Sequence, residues 1–313
     1  MITCVKYNNN LSQEWDTFID NSNTPLFFFK RLFLKYHSDR FIDHSLVFFY
    51  KEKIIATFPA TVNENEIVSH GGLTFGGIIS SKEVTASLAK EIVSCLKNYY
   101  LGLGLKKITI KSIPYIFNEV PAQEVLYFYW VNGFKLIRRD LSTIIEFNKR
   151  LSISKLRKRM ISRGKKNELI VESSENFSDF VNFMSQVLSK HDTKPVHNAE
   201  ELDFLSNHFP ENIKLSIIKK DSELIAALLF FEFEAVAHAQ YIGVNELGKE
   251  VGALDFLIEE SINSYATKGF KYFSFGISTE KDGTYLNNGL ISQKEGFGAR
   301  SIPLDFYEVY LND

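Results

Sequence analysis

Apolar residues recur every three or four positions in several stretches of the chain, which is the spacing of an amphipathic helix. One such stretch runs from Leu88 to Tyr99, and a second runs from Leu254 to Tyr265. A glycine follows each of them, Gly104 and Gly269, and glycine is the residue that most often ends a helix. The pattern therefore predicts two comparable helices, one in each half of the chain.

Apolar runs upstream of these helices predict β-hairpins. Leu46–Tyr50 and Ile54–Phe58 are joined by a short polar turn, and so are Leu215–Ile218 and Leu224–Phe233. Strands and helices thus follow one another in both halves. We predict an α/β (α+β) fold with a mixed sheet.

Three sequence anchors test whether the chain is duplicated. Their members lie 170, 165 and 163 residues apart and keep their order. They are Ile55-Ala56 with Ile225-Ala226, Gly104–Ile110 with Gly269–Phe275, and Gly133-Phe134 with Gly296-Phe297. Because a repeat of this length is a whole domain, we predict two domains related by internal duplication, residues 1–148 and residues 149–313.

The chain of 313 residues carries a formal net charge of −2, which gives no overall field toward DNA or a membrane. Its two cysteines, Cys4 and Cys95, suit a reducing cytoplasm. The first residues lack the pattern of a signal peptide, so we predict a cytoplasmic protein. The most apolar stretch, Leu224–Val244, is interrupted by Glu232 and His238, which favours buried strands over a transmembrane segment. Peripheral contact with a membrane is left open.

Basic residues are concentrated between Lys149 and Lys166, where nine of them occur without an acidic residue. On a helix, Lys155, Arg159 and Arg163 would lie on one face. Such a face suits a diphosphate or an RNA backbone, because several cations share the neutralisation of the phosphates. The alternative is a solvated linker helix. We favour phosphate binding and expect these three residues to contact substrate.

Histidine and tyrosine supply the candidate proton-transfer groups. His191 and His197 lie in a predicted loop, where they could bind or deprotonate an amine, or simply be solvated. His238 and Tyr241 lie on a predicted strand, and their odd spacing predicts opposite faces, so that one of them meets substrate. A buried, hydrogen-bonded His238 is the alternative. No common metal-binding motif is present, so no metal is predicted.

The order of elements resembles the GNAT acyltransferase fold, whose late Tyr-x-x-x-Gly-Phe signature is similar to Tyr129–Phe134. Two such units in one chain resemble the FemABX-like family of tandem GNAT proteins. Lys155–Ile161 is similar to the basic helix that opens that family's second domain. Leu286–Gly298 is similar to its closing motif. Asn287 and Lys294 in this motif are special to the second copy, so we expect both to bind substrate.

The resemblance bears on the acyl donor. GNAT enzymes that use acyl-CoA hold its pyrophosphate in a glycine-rich loop, which Gly248 and Gly252 match only in part. FemABX-type enzymes lack that loop and take an aminoacyl group from charged tRNA. The donor is therefore expected to be a co-substrate, aminoacyl-tRNA or acyl-CoA, and no cofactor is expected to be tightly bound. Tyr129 takes the place of the GNAT acid tyrosine in the first copy, and Ser292 is its counterpart in the second; packing of Tyr129 among aromatics is the favoured interpretation.

These observations lead to an enzymatic hypothesis and two rivals. The leading hypothesis is an N-acyltransferase of cell-wall or surface-polysaccharide biosynthesis, which acts on an amine of a nucleotide- or lipid-linked sugar or peptide precursor, with tRNA as a candidate partner. A rival enzyme would transfer an acyl group from a thioester to a small amine or amino acid. A non-catalytic double-GNAT protein that only binds its ligand is the third alternative.

Overall fold

The computed structural model describes residues 1–190 and 192–311. Among them, the helices are α1 (Ser12–Asn21), α2 (Arg31–Lys35), α3 (Ala86–Gly102), α4 (Glu124–Val131), α5 (Lys155–Lys166), α6 (Phe177–Ser189), α7 (Ala199–His208), α8 (Glu246–Val251), α9 (Ala253–Thr267) and α10 (Asn288–Glu295). The two helices predicted from apolar spacing are α3 and α9.

The strands of the same residues follow in chain order. They are β1 (Thr3–Lys6), β2 (Ile42–Asp43), β3 (Leu46–Tyr50), β4 (Lys53–Phe58), β5 (Thr61–Asn63), β6 (Glu66–Val68), β7 (Ile79–Ser80), β8 (Lys107–Lys111), β9 (Lys135–Glu146), β10 (Glu172–Ser174), β11 (Ile213–Lys220), β12 (Glu223–Glu232), β13 (Val236–Val244), β14 (Tyr272–Ile277), β15 (Thr279–Glu280), β16 (Tyr285–Leu286) and β17 (Arg300–Tyr310). The predicted hairpins are β3–β4 and β11–β12.

The chain folds into two compact units. The first unit holds residues 1–140, 279–285 and 303–311 of the described chain, and the second holds Leu141–Ser278 and Leu286–Ile302. Each long closing strand is thus divided: the last part of β9 belongs to the second unit and most of β17 to the first. The boundary predicted after residue 148 concerns the sequence repeat and stays a prediction.

The first unit contains two sheets. In one of them β1, β3, β4 and β7 lie side by side, and in the other β2, β5, β6, β8 and the later part of β17 pair in that order. Helix α3 packs its apolar face into this core through Ile92 and Leu96, both fully buried. Burial of such side chains is what turns the helical spacing of the sequence into a stable element.

The second unit is built on one sheet in the order β10, β11, β12, β13, β14, followed by the last part of β9. Strands β13 and β14 are parallel, but they pair only over Val236–His238 and Tyr272–Ser274. Beyond these residues the two strands no longer pair. Helix α9 covers one face of the sheet, and its apolar residues, from Ala253 to Tyr265, pack into the core.

A β-bulge at Gln240 changes which residues of β13 face each side. The ladder between β12 and β13 shifts there, so Gln240 is an extra residue in β13. As a result Ala239 and Ile242 both pack on the α9 side of the sheet. His238 and Tyr241 consequently share the other face. The prediction of opposite faces was wrong, because it assumed a strand without a bulge.

Candidate functional site

A cavity of about 200 Å³ opens in the second unit beside the divergent ends of β13 and β14. Its wall is mostly apolar, with a few polar side chains. It is lined by Val187, Lys190, Ile242, Val244, Lys249, Leu254, Ile258, Phe275, Leu290, Gln293, Lys294 and Phe297. Mostly apolar pockets with a few convergent polar groups are the usual form of small-molecule sites.

Lys294, on α10, is the buried charge-bearing group of this cavity. Its side chain is only 4% exposed, and its Nζ donates to the carbonyl oxygens of Gly276 at 3.0 Å and Ile277 at 2.6 Å. Gly276 has a φ of +71°, a conformation that favours glycine, and it lies where β14 leaves regular pairing. Burial lowers the pKa of Lys294 to about 7. Near neutral pH this amine can therefore both donate and accept a proton.

His238 also lies close to Gly276. A Cβ at Gly276 would be 3.6 Å from the His238 ring, and His238 Nδ1 lies 3.0 Å from the hydroxyl oxygen of Ser274. Burial, together with the nearby charge of Lys294, lowers the pKa of His238 to about 4. The imidazole is therefore neutral at physiological pH. The structure thus brings His238 and Lys294 together around one glycine.

The structural counterpart of Lys294 in the first unit is Tyr129. Gly133 and Gly298 both have a left-handed backbone, with φ of +81° and +87°, whereas Gly296 is right-handed. Their amide nitrogens donate to the carbonyl three residues earlier, at 3.1 and 2.9 Å respectively. Counting back four residues from each left-handed glycine gives Tyr129 and Lys294. The sequence comparison matched Gly133 with Gly296, and hence Tyr129 with Ser292. The backbone angles move this match by two residues in the second copy.

His197 and Tyr241 form a separate cluster. The Tyr241 hydroxyl oxygen accepts hydrogen bonds from the backbone nitrogens of Val196 at 3.0 Å and His197 at 3.2 Å, and it lies 2.8 Å from His197 Nδ1. Burial raises the pKa of Tyr241. These contacts fasten the segment before α7 to β13. His191, the other predicted histidine, lies outside the described residues.

The predicted basic helix is α5, and Lys155, Arg159 and Arg163 are all exposed on it. Other basic residues of the segment are held in ion pairs. Arg157 contacts Asp255 at 2.7 Å, and Arg150 contacts Glu259 at 2.6 Å, where both acids belong to α9. These buried pairs attach the segment to α9. The three exposed cations remain accessible to a ligand, and their role stays a prediction.

Gly248 and Gly252, the predicted pyrophosphate-binding glycines, lie against other parts of the backbone. A Cβ at Gly248 would overlap the carbonyl oxygen of Ile225, and a Cβ at Gly252 would overlap that of Met160 on α5. Gly252 also has a φ of +78° at the junction of α8 and α9. Both glycines thus make room for neighbouring backbone, that of β12 beside Gly248 and that of α5 beside Gly252.

Three polar residues near the cavity were not predicted from the sequence. At its mouth, Lys190 and Lys249 both pair with Glu246, at 2.6 and 3.0 Å. The lysine-glutamate spacing of α8 was visible in the sequence, but the approach of Lys190 from α6 was not.

Asn287, which was predicted to bind substrate, caps α10, because its side-chain oxygen accepts from the Leu290 nitrogen at 2.9 Å.

Comparisons with known proteins agree with this architecture. A family model described as an acetyltransferase (GNAT) domain matches residues 148–285. The structure is similar to that of FemX, with a TM-score of 0.70, 10% identity, and coverage of 99% of this chain and 97% of FemX. The chain has the tandem GNAT fold. The predicted fold class is therefore confirmed, and with the family match so is the predicted acyltransferase class.

Two further structures share the fold. One is the C-terminal domain of a protein named as a lysylphosphatidylglycerol synthetase from Agrobacterium fabrum, with a TM-score of 0.61, 14% identity, and coverage of 97% of this chain and 92% of that one. The other is a tandem GNAT protein from the clavulanic acid biosynthesis pathway, with a TM-score of 0.56, 8% identity, and coverage of 100% and 99%. No curated protein sequence matches the chain. Every helix in residues 1–190 and 192–311 is too short or too polar to cross a bilayer.

Proposed function

We propose that the second unit transfers an aminoacyl group from charged tRNA to an amine of a phosphate-bearing precursor, with Lys294 as the proton-transfer group. The observation that carries this proposal is the position of Lys294. It lines the cavity, it is buried, and it stands where the first unit has Tyr129, the residue that matches the acid tyrosine of the GNAT signature.

The chemistry requires no covalent enzyme intermediate. The neutral acceptor amine attacks the ester carbonyl carbon of the donor, and the C–N bond forms as the carbonyl oxygen becomes an oxyanion. The Lys294 ammonium stabilises that charge and then gives a proton to the departing ribose oxygen as the C–O bond breaks. The neutral Lys294 takes up the proton that the new amide nitrogen loses. A pKa of about 7 suits both steps.

The tRNA donor is supported by the two faces of α5. Its exposed face carries Lys155, Arg159 and Arg163, which are accessible to a phosphate backbone. Its buried face packs against Gly252, at the helix start where the GNAT loop would hold the pyrophosphate of acyl-CoA. An acyl-CoA bound in that manner would compete with α5 for space.

The acceptor class comes from the family resemblance and from one neighbour's name. FemABX-like proteins are expected to act on cell-wall or surface-polysaccharide precursors. Lysylphosphatidylglycerol synthetase, by its name, joins a lysyl group to a phosphate-bearing lipid. Both imply a phosphate on the acceptor, and the apolar cavity with lysines at its mouth is compatible with such a molecule.

A thermal-shift panel tests the donor and acceptor. Acetyl-CoA, a nucleotide-linked muramoyl peptide, a nucleotide-linked amino sugar and charged tRNA would each be added to the wild-type chain. We expect stabilisation by charged tRNA and by one of the nucleotide-linked compounds, because a ligand that binds the native state raises the unfolding temperature. Stabilisation by acetyl-CoA alone would contradict the tRNA donor. No response to any compound would favour a binding protein with another ligand.

A matched pair of variants tests the α5 surface. Arg159→Ala combined with Arg163→Ala removes two exposed cations of the proposed face, and Lys158→Ala combined with Lys165→Ala removes two exposed cations that are displaced around the same helix. We expect tRNA affinity to fall roughly tenfold or more in the first pair only, with a shallower salt dependence. Equal losses in both pairs would indicate nonspecific attraction.

A further inference from the structure

The two cysteines of the chain meet in the first unit. Cys4 lies on β1 and Cys95 on α3, 91 residues apart in sequence, and their sulfur atoms are 2.8 Å apart. Both are free thiols and both are partly exposed. We propose that Cys4 and Cys95 form a redox-reactive pair, which peroxide closes to an intramolecular disulfide that ties β1 to α3.

The surrounding contacts hold the two thiols in register. β1 pairs with β3, with Cys4 opposite Phe48, and the Ile2 backbone nitrogen donates to Glu91 at 3.1 Å. Glu91 precedes Cys95 by one helical turn, so the same face of α3 receives the N-terminal strand at two successive points. Ile2 is buried beneath it. Closure to an S–S bond of about 2.05 Å therefore needs only a small side-chain movement.

Hydrogen peroxide is the oxidant that accepts the two electrons lost by the thiols. The Cys95 thiolate attacks one peroxide oxygen, the O–O bond breaks, and a sulfenic acid and hydroxide form. The Cys4 sulfur then attacks the sulfenic sulfur, the S–S bond forms and the S–O bond breaks. Overall two thiols lose two electrons and two protons, and hydrogen peroxide becomes two molecules of water.

The pKa values of the two thiols differ in the direction that an attack by Cys95 first requires. The hydrogen bond with Cys4 lowers the pKa of Cys95, whereas the same interaction, together with burial, raises the pKa of Cys4. The thiolate is the nucleophilic form of cysteine. We assign the first attack to Cys95 and the resolving step to Cys4.

Thiol counting after oxidation tests the pair. The full chain would be treated with hydrogen peroxide, denatured, titrated with a thiol reagent and weighed by mass spectrometry. We expect both thiols to disappear, the monomer mass to fall by two hydrogens, and dithiothreitol to restore both changes. Persistence of free thiols, a gain of oxygen atoms without a crosslink, or disulfide-linked dimers would each overturn the proposal.

Single variants separate the two roles. In Cys4→Ser the sulfenic acid on Cys95 has no partner, so we expect it to be captured by dimedone in place of the crosslink. In the wild type, where both thiols keep the interaction that separates their acidities, brief exposure to peroxide with dimedone present should label Cys95 ahead of Cys4. Equal labelling of the two cysteines would contradict the assigned order.

Thermal unfolding measures the consequence for the fold. The bond would close a long loop of the first unit, so we expect the unfolding temperature to rise by on the order of 5–10 °C on oxidation. The double variant, Cys4→Ser with Cys95→Ser, should show no such rise. A rise of equal size in the double variant, or no rise in the crosslinked wild type, would show that the bond does not stabilise β1 against α3.

Discussion

The two helix-to-strand corners of the molecule share one backbone conformation but carry different buried side chains. In the first unit α4 ends two residues before Gly133, and in the second α10 ends three residues before Gly298; the two glycines have closely similar positive φ angles. Four residues before each glycine lies a buried side chain, Tyr129 in one unit and Lys294 in the other. At the same position of the corner, the first unit has the aromatic ring of Tyr129 and the second unit has the amine of Lys294.

The cavities beside these residues differ accordingly. The cavity lined by Tyr129 measures about 30 Å³, and the one lined by Lys294 about 200 Å³. Burial raises the pKa of Tyr129 above its ordinary value, so its hydroxyl stays protonated, whereas burial lowers the pKa of Lys294 toward neutrality. The duplicated fold therefore has a small cavity in the first unit and a larger one in the second, and of Tyr129 and Lys294 it is Lys294, in the larger cavity, whose pKa lies near physiological pH.

The largest expected effect is on catalysis. Lys294→Met removes the oxyanion partner and the proton donor while it keeps the length of the side chain, so we expect kcat to fall by about 10²–10³-fold. The matched change in the first unit, Tyr129→Phe, should leave kcat within about twofold. Steady-state transfer assays with charged tRNA measure both. A comparable loss in Tyr129→Phe would show that the first unit also carries chemistry.

The second effect is on stability at the two glycines. Gly298→Ala must place a Cβ onto the carbonyl oxygen of Leu151, whereas Gly133→Ala meets open space. Both changes strain a left-handed backbone, which costs about 1 kcal/mol. Overlap with the backbone adds on the order of 2 kcal/mol at Gly298 alone. Urea unfolding would measure the difference, and equal costs would argue against the assigned packing of Gly298.

The third effect is a pH dependence of stability. The pKa of Lys294 falls on folding from 10.5 to about 7, so the native state disfavours the protonated amine. That cost is complete below pH 7 and vanishes as the pH rises through 10.5. Lys294→Met should therefore be more stable than wild type by on the order of 2 kcal/mol at pH 6, with the advantage shrinking toward pH 10. A difference independent of pH would mean that Lys294 is not desolvated.

The smallest effect concerns the anchor of the segment before α7. Tyr241→Phe removes the oxygen that meets Val196 and His197, so we expect a loss of about 1 kcal/mol in the free energy of unfolding. Hydrogen exchange at these two backbone amides should speed up. Tyr285→Phe, at a half-exposed tyrosine, is the control and should leave both quantities unchanged. Unchanged exchange in Tyr241→Phe would contradict the anchoring role.

Local patterns predicted much of this fold. Apolar spacing located α3 and α9. Asn198 followed by Glu201 is a sequence pattern typical of a capping box, and these residues do form one at the start of α7. The Thr24-Pro25 pair and the apolar residues up to Leu34 predict one helix, but Lys30 has an extended backbone that separates a 3₁₀ turn from the short α2. Aromatic burial there favoured a broken helix, which helical propensity alone does not reveal.

The site was harder to predict, because it depends on backbone irregularities. The bulge at Gln240 and the left-handed Gly276 and Gly298 are each fixed by contacts between distant strands and helices. A pattern of residue types shows none of these directly. Lys294 was selected because it is special to the second copy, but its pairing with Tyr129 needed the φ angles of the two glycines.

The central claim is that chemistry in this molecule depends on the Lys294 amine. The most direct measurement is the pH dependence of kcat/KM for transfer from charged tRNA, in wild type and in Lys294→Met. Because the ammonium form is the proposed acid, the wild type should lose activity as the pH rises through about 7. The variant should be slow at every pH and lack this transition. A transition near pH 7 that persists in Lys294→Met would contradict the account.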